Sequence, residues 1–179
     1  MSPERVHIFG ASGSGTTTLG KVLASRLSIR HLDADDYYWQ KTDLPYGLKN
    51  PPEARVSALL SDMEAAGEWV LSGSAVSWGD AFIPLFSLAV FVTLPQEVRM
   101  QRLARRERER YGPRTEPGGD MHAQSQAFLA WAAQYDRAGL ETRSREMHER
   151  WIERLPCPVA RVQSLKPPEE VADDLLQYL

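Results

Sequence analysis

Residues 10–17, Gly10-Ala11-Ser12-Gly13-Ser14-Gly15-Thr16-Thr17, form the segment best suited to chemistry. Glycine has no Cβ, so Gly10, Gly13 and Gly15 let backbone N–H groups turn inward around phosphate oxygens. The residues after them read as a helix, whose first turn adds free N–H groups and the positive end of the helix dipole. Ser12, Ser14, Thr16, Thr17 and Thr18 complete the ligand-facing set. Thr17 stands where a hydroxyl binds Mg2+ in such loops, and the position before it is ordinarily a lysine that reaches the β- and γ-phosphates. Here that position is Thr16, and Lys21, one turn further on, cannot simply substitute. The ligands expected are therefore ATP and Mg2+. A cation from elsewhere must neutralise the charge that develops if a phosphoryl group is transferred.

Three further groups carry chemical potential. Asp33, Asp35 and Asp36 are close enough to repel one another unless a cation or hydrogen-bond donors are near. In a phosphoryl-transfer site they could hold Mg2+ through water or take a proton from an acceptor hydroxyl; helix capping in a solvated turn is the other reading. Tyr37-Tyr38-Trp39 follows, able either to stack a ring at a pocket or to pack a core or hinge. Arginines crowd one stretch: Arg99, Arg102, Arg105, Arg106, Arg108 and Arg110, of which Arg99, Arg102, Arg106 and Arg110 share a helical face. Pairing with Glu107 and Glu109 explains most of these as a solvated face.

These groups need a frame to bring them together. Val6 to Phe9 reads as a buried strand closed by Gly10, and Leu19, Val22, Leu23 and Leu27 mark one face of the helix that follows. Ser28 to Leu32 is a weaker strand. Pro51-Pro52-Glu53 opens a helix with Val56, Leu59, Leu60 and Met63 inward. Trp69 to Leu71, Leu88 to Val92 and Pro158 to Val162 are further strands. Pro95 opens the arginine-rich helix, residues 112–119 form a Gly/Pro loop, and helices follow over about 121–138, 142–154 and 169–179. Short apolar strands alternating with helices predict an α/β three-layer sandwich, a five-stranded parallel sheet covered on both faces. Ligands of such sheets sit at the carboxyl ends of the strands. The 10–17 loop, Asp33 to Asp36 and Ser72 to Ser74 all fall there.

The bulk properties exclude several classes. The chain has 179 residues, 42% hydrophobic and 25% charged, with a net charge of −3. That suits a single domain and gives no global pull toward nucleic acid or an anionic membrane. Glu107 and Glu109 also interrupt the arginine helix as a nucleic-acid surface. The one cysteine, Cys157, excludes an intrachain disulfide and a cysteine zinc site, and His122 and His148 are too far apart to pair by spacing. No signal-peptide core or bilayer-length apolar run is present, so the expectation is cytoplasmic, as a monomer or homodimer.

The ending Ser14-Gly15-Thr16-Thr17-Thr18 resembles that of archaeal cytidylate kinases, which also lack the lysine, and the order of elements resembles nucleoside monophosphate kinase-like P-loop kinases, including adenylate, cytidylate and shikimate kinases. Asp33-Ala34-Asp35 matches the Asp-x-Asp of shikimate kinase-like proteins. The resemblance implies Thr17 and Asp33 at Mg2+, Asp35 at the acceptor, and Asp36, Tyr38, Ser72, Gly73 and Ser74 on the acceptor side, where backbone N–H groups of the 72–74 loop meet the substrate. It implies an adenine passing the 163–167 loop, and Pro45 and Gly47 within Lys41 to Asn50 suggest a mobile acceptor-side loop there. It also implies a lid inserted at about 99–145 of a single domain, whose arginines clamp phosphates. Arg102, Arg106, Arg143 and Arg145 are the candidates to supply the charge that Thr16 does not. The function expected is ATP-dependent phosphoryl transfer to a small acceptor, a nucleoside monophosphate or a hydroxyl compound. The alternative is a nucleotide-binding regulatory or partner-binding module without transfer.

Overall fold

The computed structural model describes residues 4–43 and 45–179; Leu44, within the expected acceptor-side loop, and Met1 to Pro3 lie outside the described residues. Five strands form one sheet: β1 (Arg5–Gly10), β2 (Arg30–Asp33), β3 (Trp69–Ser72), β4 (Leu88–Thr93) and β5 (Val159–Gln163). Their order is β2-β3-β1-β4-β5 and every pairing is parallel. β1 lies central, so its carboxyl end at Gly10 opens between β3 and β4. A parallel sheet is covered on both faces, which is why β4 is apolar without alternation.

Each face has its own core. Val6 and Ile8 point to one side with Val70, Leu88 and Val90, under Leu19, Leu23 and Ala24 of α1 (Thr16–Leu27) and Val171, Ala172 and Leu175 of α7 (Pro168–Leu175). Phe9, Leu71 and Phe91 point to the other, against Leu59 and Met63 of α3 (Pro52–Ala66), Phe82 of a 3-10 turn (Asp80–Leu85), and Trp151 of α6 (Arg145–Ile152). Pro52 at the start of α3 fits its fixed φ to the first helical position.

The remaining helices shape the open end of the sheet. A five-residue helix, α2 (Ala34–Tyr38), follows β2 directly, where the sequence suggests only a strand-end turn. Asp33 caps it: its Oδ1 accepts from the Asp35 N–H at 3.1 Å. The arginine-rich helix α4 (Gln96–Tyr111) buries Arg99, Leu103, Glu107 and Tyr111, a stripe at four-residue spacing. A 3-10 turn and α5 (His122–Ala133) follow, ending earlier than the 138 expected. The chain then turns through 134–144, and Ser144 caps α6 by accepting from the Met147 N–H at 3.1 Å. Among the described residues no helix is long and apolar enough to cross a membrane.

Candidate functional site

The 10–17 loop takes the geometry its composition suggests. Gly13 and Gly15 have φ of 81° and 92°, a region that favours glycine. A Cβ on Gly13 would lie 2.9 Å from the Arg99 carbonyl oxygen, so α4 packs against this loop too closely for any side chain. Gly15 is the N-cap of α1. No side chain caps that helix start and its first turn holds no acidic residue, so its free N–H groups and dipole face the open end of the sheet. Thr16 and Thr17 occupy the first turn half-buried, Ser12 is likewise half-exposed, and Thr18 points to solvent. Ser14 departs from the expected ligand-facing set. It is fully buried, and its hydroxyl (2.7 Å) and N–H (3.1 Å) both donate to the Ala11 carbonyl, so it braces the loop from inside.

Thr17 and Asp33 meet at the carboxyl end of the sheet, in the cleft between the 10–17 loop and α2 where a ligand is expected. The Thr17 hydroxyl donates to Asp33 Oδ2 at 2.9 Å. Adjacent oxygens around an octahedral ion with bonds of about 2.0–2.1 Å are themselves about 2.9 Å apart, so this pair has the spacing of one Mg2+ coordination edge. Among the described residues no group of three or more His, Cys, Asp or Glu could hold a metal alone. Two protein oxygens with phosphates completing the shell suit Mg2+ rather than a closed zinc site.

Asp35 lies two residues beyond, accessible to solvent but crowded by the cleft walls. Partial desolvation raises its pKa first and the charge of Asp33 raises it further, while Arg143, Arg106 and a hydrogen bond from Trp39 pull it down. Asp36, its neighbour, is exposed. Gly73, at φ 92°, passes so close to α2 that a Cβ would stand 3.1 Å from the Ala34 Cβ and 3.5 Å from Asp33 Oδ1.

Two expectations for the 72–74 loop are corrected. Ser72 is fully buried and its hydroxyl meets His31 Nε2 at 2.9 Å, so it offers no side chain to a ligand. The Gly73 N–H donates to the Ile8 carbonyl at 3.0 Å, and its carbonyl accepts from His7 Nε2 at 3.0 Å, so this backbone is spent within the sheet. Ser74 alone of the three keeps a half-exposed side chain.

An aromatic and cationic cluster gathers around Tyr38 at the end of α2. Tyr38 stands 5.0 Å from Trp39 and 5.8 Å from Trp78, ring to ring. The Arg55 guanidinium lies 4.3 Å from the Tyr38 ring and 5.2 Å from that of Trp78, and Lys49 lies 5.5 Å from Tyr38. Arg55 Nε is buried without a hydrogen-bond partner. The 39–50 loop is tied at its ends, with Gln40 N–H to Leu48 O at 2.8 Å and Asn50 N–H to Tyr38 O at 2.9 Å. Neither Arg55, Lys49 nor Trp78 is singled out by the sequence. Trp78, four residues past Ser74, could have been found by its nearness to that loop. Arg55 could not, because only the packing of α3 on α2 brings it to Tyr38.

The four candidate arginines separate. Arg145 is matched by Asp136, with its Nη2 2.7 Å and its Nε 3.0 Å from Oδ1, and Arg99, almost fully buried, takes the same carboxylate through Oδ2. Arg145 is thus an anchor for the 134–144 turn and is not brought to the cleft. Arg102 donates to the Ser164 carbonyl at 3.2 Å and lies over Gly15, Nη1 3.7 Å from where its Cβ would be, between the 10–17 loop and the loop after β5. Arg106 lies 5.7 Å from the Phe128 ring and Arg143 4.8 Å from that of Trp131. Both act electrostatically on Asp35, and desolvation lowers the pKa of Arg143 itself. Among the described residues no carboxylate is within ion-pair distance of Arg55, Lys49, Arg102, Arg106 or Arg143, whereas nine other arginines are paired.

Comparison with known proteins agrees with this frame. The AAA domain family matches residues 6–125. Uncharacterized protein YqaC of Bacillus subtilis (strain 168) is 43% identical over 176 residues, which span 98% of this chain and 97% of that protein. Among solved structures, a sugar kinase from Janibacter sp. HTCC2649 aligns with TM-score 0.56 at 15% identity, over 98% of this chain and 94% of that one. Shikimate kinase from Acinetobacter baumannii, in complex with shikimate, gives 0.55 at 18% identity, over 98% and 92%. A gluconokinase from Sinorhizobium meliloti 1021 gives 0.53 at 18%, over 99% and 91%. At these identities the likeness is one of fold, that of the P-loop kinases.

Proposed function

The chain belongs to the AAA domain family and has the fold of the P-loop kinases, and we propose on that premise that it transfers the γ-phosphoryl group of ATP to a hydroxyl of a small anionic acceptor. The observation that carries the reading is the Thr17–Asp33 oxygen pair lying two residues from Asp35, which Arg106 and Arg143 face without carboxylate partners of their own. The loop and the start of α1 hold the triphosphate. Thr17 and Asp33 would hold Mg2+, which would supply charge neutralisation on the phosphate oxygens. The acceptor oxygen forms its bond to the γ-phosphorus as the bond to the β–γ bridging oxygen breaks. Its proton passes to Asp35 and ADP departs. A carboxylate with a raised pKa is better matched to that proton.

The charge balance supports the acceptor class. Arg106 and Arg143, the two cations that act on Asp35, outnumber it if Asp33 is taken up by Mg2+, so an acceptor bearing a carboxylate or phosphate is favoured over a neutral polyol. Arg106 and Arg143 sit on the segment expected to close as a lid, and closure over the cleft would exclude water. The alternative, a nucleotide-binding module without transfer, draws on Thr16 alone and leaves the unpaired cations around Asp35 without a purpose.

The test is ADP release measured over a panel of nucleoside monophosphates, hydroxy acids, sugar acids and neutral polyols. Stimulation by an anionic hydroxyl compound is expected. Tight ATP binding with no stimulation by any member of the panel would favour the binding module.

A further inference from the structure

His148 lies on α6, away from every loop that meets the nucleotide, and is fully buried. Its two ring nitrogens are both engaged: Nε2 with the Ser74 hydroxyl at 2.9 Å, and Nδ1 with the Tyr135 hydroxyl at 2.7 Å. Phe9 and Phe91 stand edge-on to the ring at 5.3 and 5.8 Å, so it cannot tilt away from either partner without opening the core. The chain of contacts continues on both sides. The Ser74 carbonyl accepts from the Trp78 indole N–H at 3.2 Å, and the Trp78 ring carries Arg55 and borders Tyr38. On the far side, the Tyr135 carbonyl accepts from the Arg145 N–H at 2.9 Å, and Asp136 next to it holds Arg99 and Arg145. That turn carries Arg143, close enough for its charge to act on His148.

We infer that His148 is a positioning residue, which through Ser74 and Tyr135 sets the Trp78–Arg55 wall of the cleft and the Arg143 turn in register with each other. Two parts of the chain that must converge on one acceptor, the loop after β3 and the turn before α6, are far apart in sequence, with Ser74 sixty-one positions before Tyr135; one imidazole spans them. A phenylalanine would fill the same space. A neutral imidazole adds one donor and one acceptor, and two hydroxyl groups satisfy both. The consequence for turnover rests on the kinase reading; the positional coupling does not.

The experiment compares the full chain with His148→Phe, His148→Gln, Ser74→Ala and Tyr135→Phe. Exchange of the Trp78 indole proton, followed by NMR, reports the loop directly. His148→Phe is expected to speed that exchange by about tenfold, for the loss of a buried hydrogen bond. His148→Gln, which can still reach Ser74, should restore most of the protection. Affinity for a non-hydrolysable ATP analogue should stay within about twofold, since the 10–17 loop shares no partner with His148. With an acceptor in hand, its KM should rise in His148→Phe, and the Ser74→Ala and Tyr135→Phe effects should be non-additive with it. Should His148→Phe prove too unstable, the two hydroxyl deletions give the same readouts. Unchanged Trp78 exchange in His148→Phe, or in both deletions, would overturn the inference and leave His148 a packed core ring. If no acceptor is found at all, the kinase reading fails, yet the exchange measurement still decides this one.

Discussion

Two buried histidines make acid a sharp probe of the fold. His7 and His148 are both fully buried. Desolvation pushes His7 down to about 4, against a smaller upward pull from its hydrogen bond to the Gly73 carbonyl. Desolvation pushes His148 down to about 3, helped by the charge of Arg143 and by His7. In the unfolded chain each returns to the usual value near 6.5, so between that value and the folded one the unfolded state binds more protons. Their contribution to stability is thus complete above about pH 6.5 and is lost as pH falls toward 4. At about 1.4 kcal/mol per pH unit for each ring, the pair costs about 3 kcal/mol per unit and about 6 kcal/mol by pH 4, comparable with the whole stability of a domain this size. His31, also pushed down by desolvation first, acts in the same direction, while the raised pKa of Asp35 opposes. Urea unfolding at pH 7.5, 6.5, 5.5 and 5.0 measures the slope, in a window above most carboxylates. His7→Phe and His148→Phe should each remove about half of it. Stability that stays flat or rises on acidification, or the full wild-type slope retained in both variants, would refute the assignment of these rings as buried and neutral.

Gly15→Ala should cost about 1–3 kcal/mol of left-handed strain and sharply weaken ATP-analogue binding by calorimetry, whereas Gly13→Ala should mainly lower Tm, because its Cβ meets the Arg99 carbonyl. Equal and small effects of both on affinity would argue against the loop as the triphosphate site. Asp35→Asn should leave ATP-analogue affinity intact and abolish acceptor-dependent ADP release; loss of both together would refute its assignment to the acceptor. Arg143→Met should lower acceptor-dependent kcat by about 10³-fold, in the range of arginines that stabilise transferred charge, with little change in Tm. Arg145→Met should do the reverse, shifting Tm by loosening the Asp136 anchor while kcat holds within a few-fold, and a larger kcat loss there than at Arg143 would invert the assignment.

How far these features could be read in the sequence depended on how local their determinants are. The strands and the 10–17 loop are written in short runs: apolar β4, Gly10 after β1, glycines where φ is positive. Asp33 and Asp35 follow from their place at the end of β2. What escaped was set by contacts distant in sequence. The second helix, five residues long, carries no apolar period and exists because Asp33 caps it against β3. Ser14 and Ser72 look like ligand groups by type, yet each is sealed in by an internal partner, Ala11 and His31. The arginines showed the limit most clearly. On a helical wheel Arg99, Arg102 and Arg106 are equivalent. Only Asp136, thirty-seven positions from Arg99, removes that one from play, and only the Ser164 carbonyl fixes Arg102.

That sorting bears on the missing lysine. A lysine before Thr17 would put its charge on the nucleotide whether or not an acceptor were present. With Thr16 there instead, the unpaired cations lie on other elements: Arg102 over Gly15, Arg106 on α4, and Arg143 on the turn that His148 ties to Ser74. On the kinase proposal, the part of the positive charge that Arg106 and Arg143 bring to the γ-phosphate would depend on the geometry of the acceptor side, as binding energy spent on assembling the site would require. On the kinase proposal, such a site would hold ATP without driving its hydrolysis in the open state, because the charge-neutralising group is not part of the 10–17 loop. The same arrangement accounts for the placement of Arg143 beside Asp35: the group that favours the carboxylate's charge before transfer is the group that can follow the phosphoryl's charge during it.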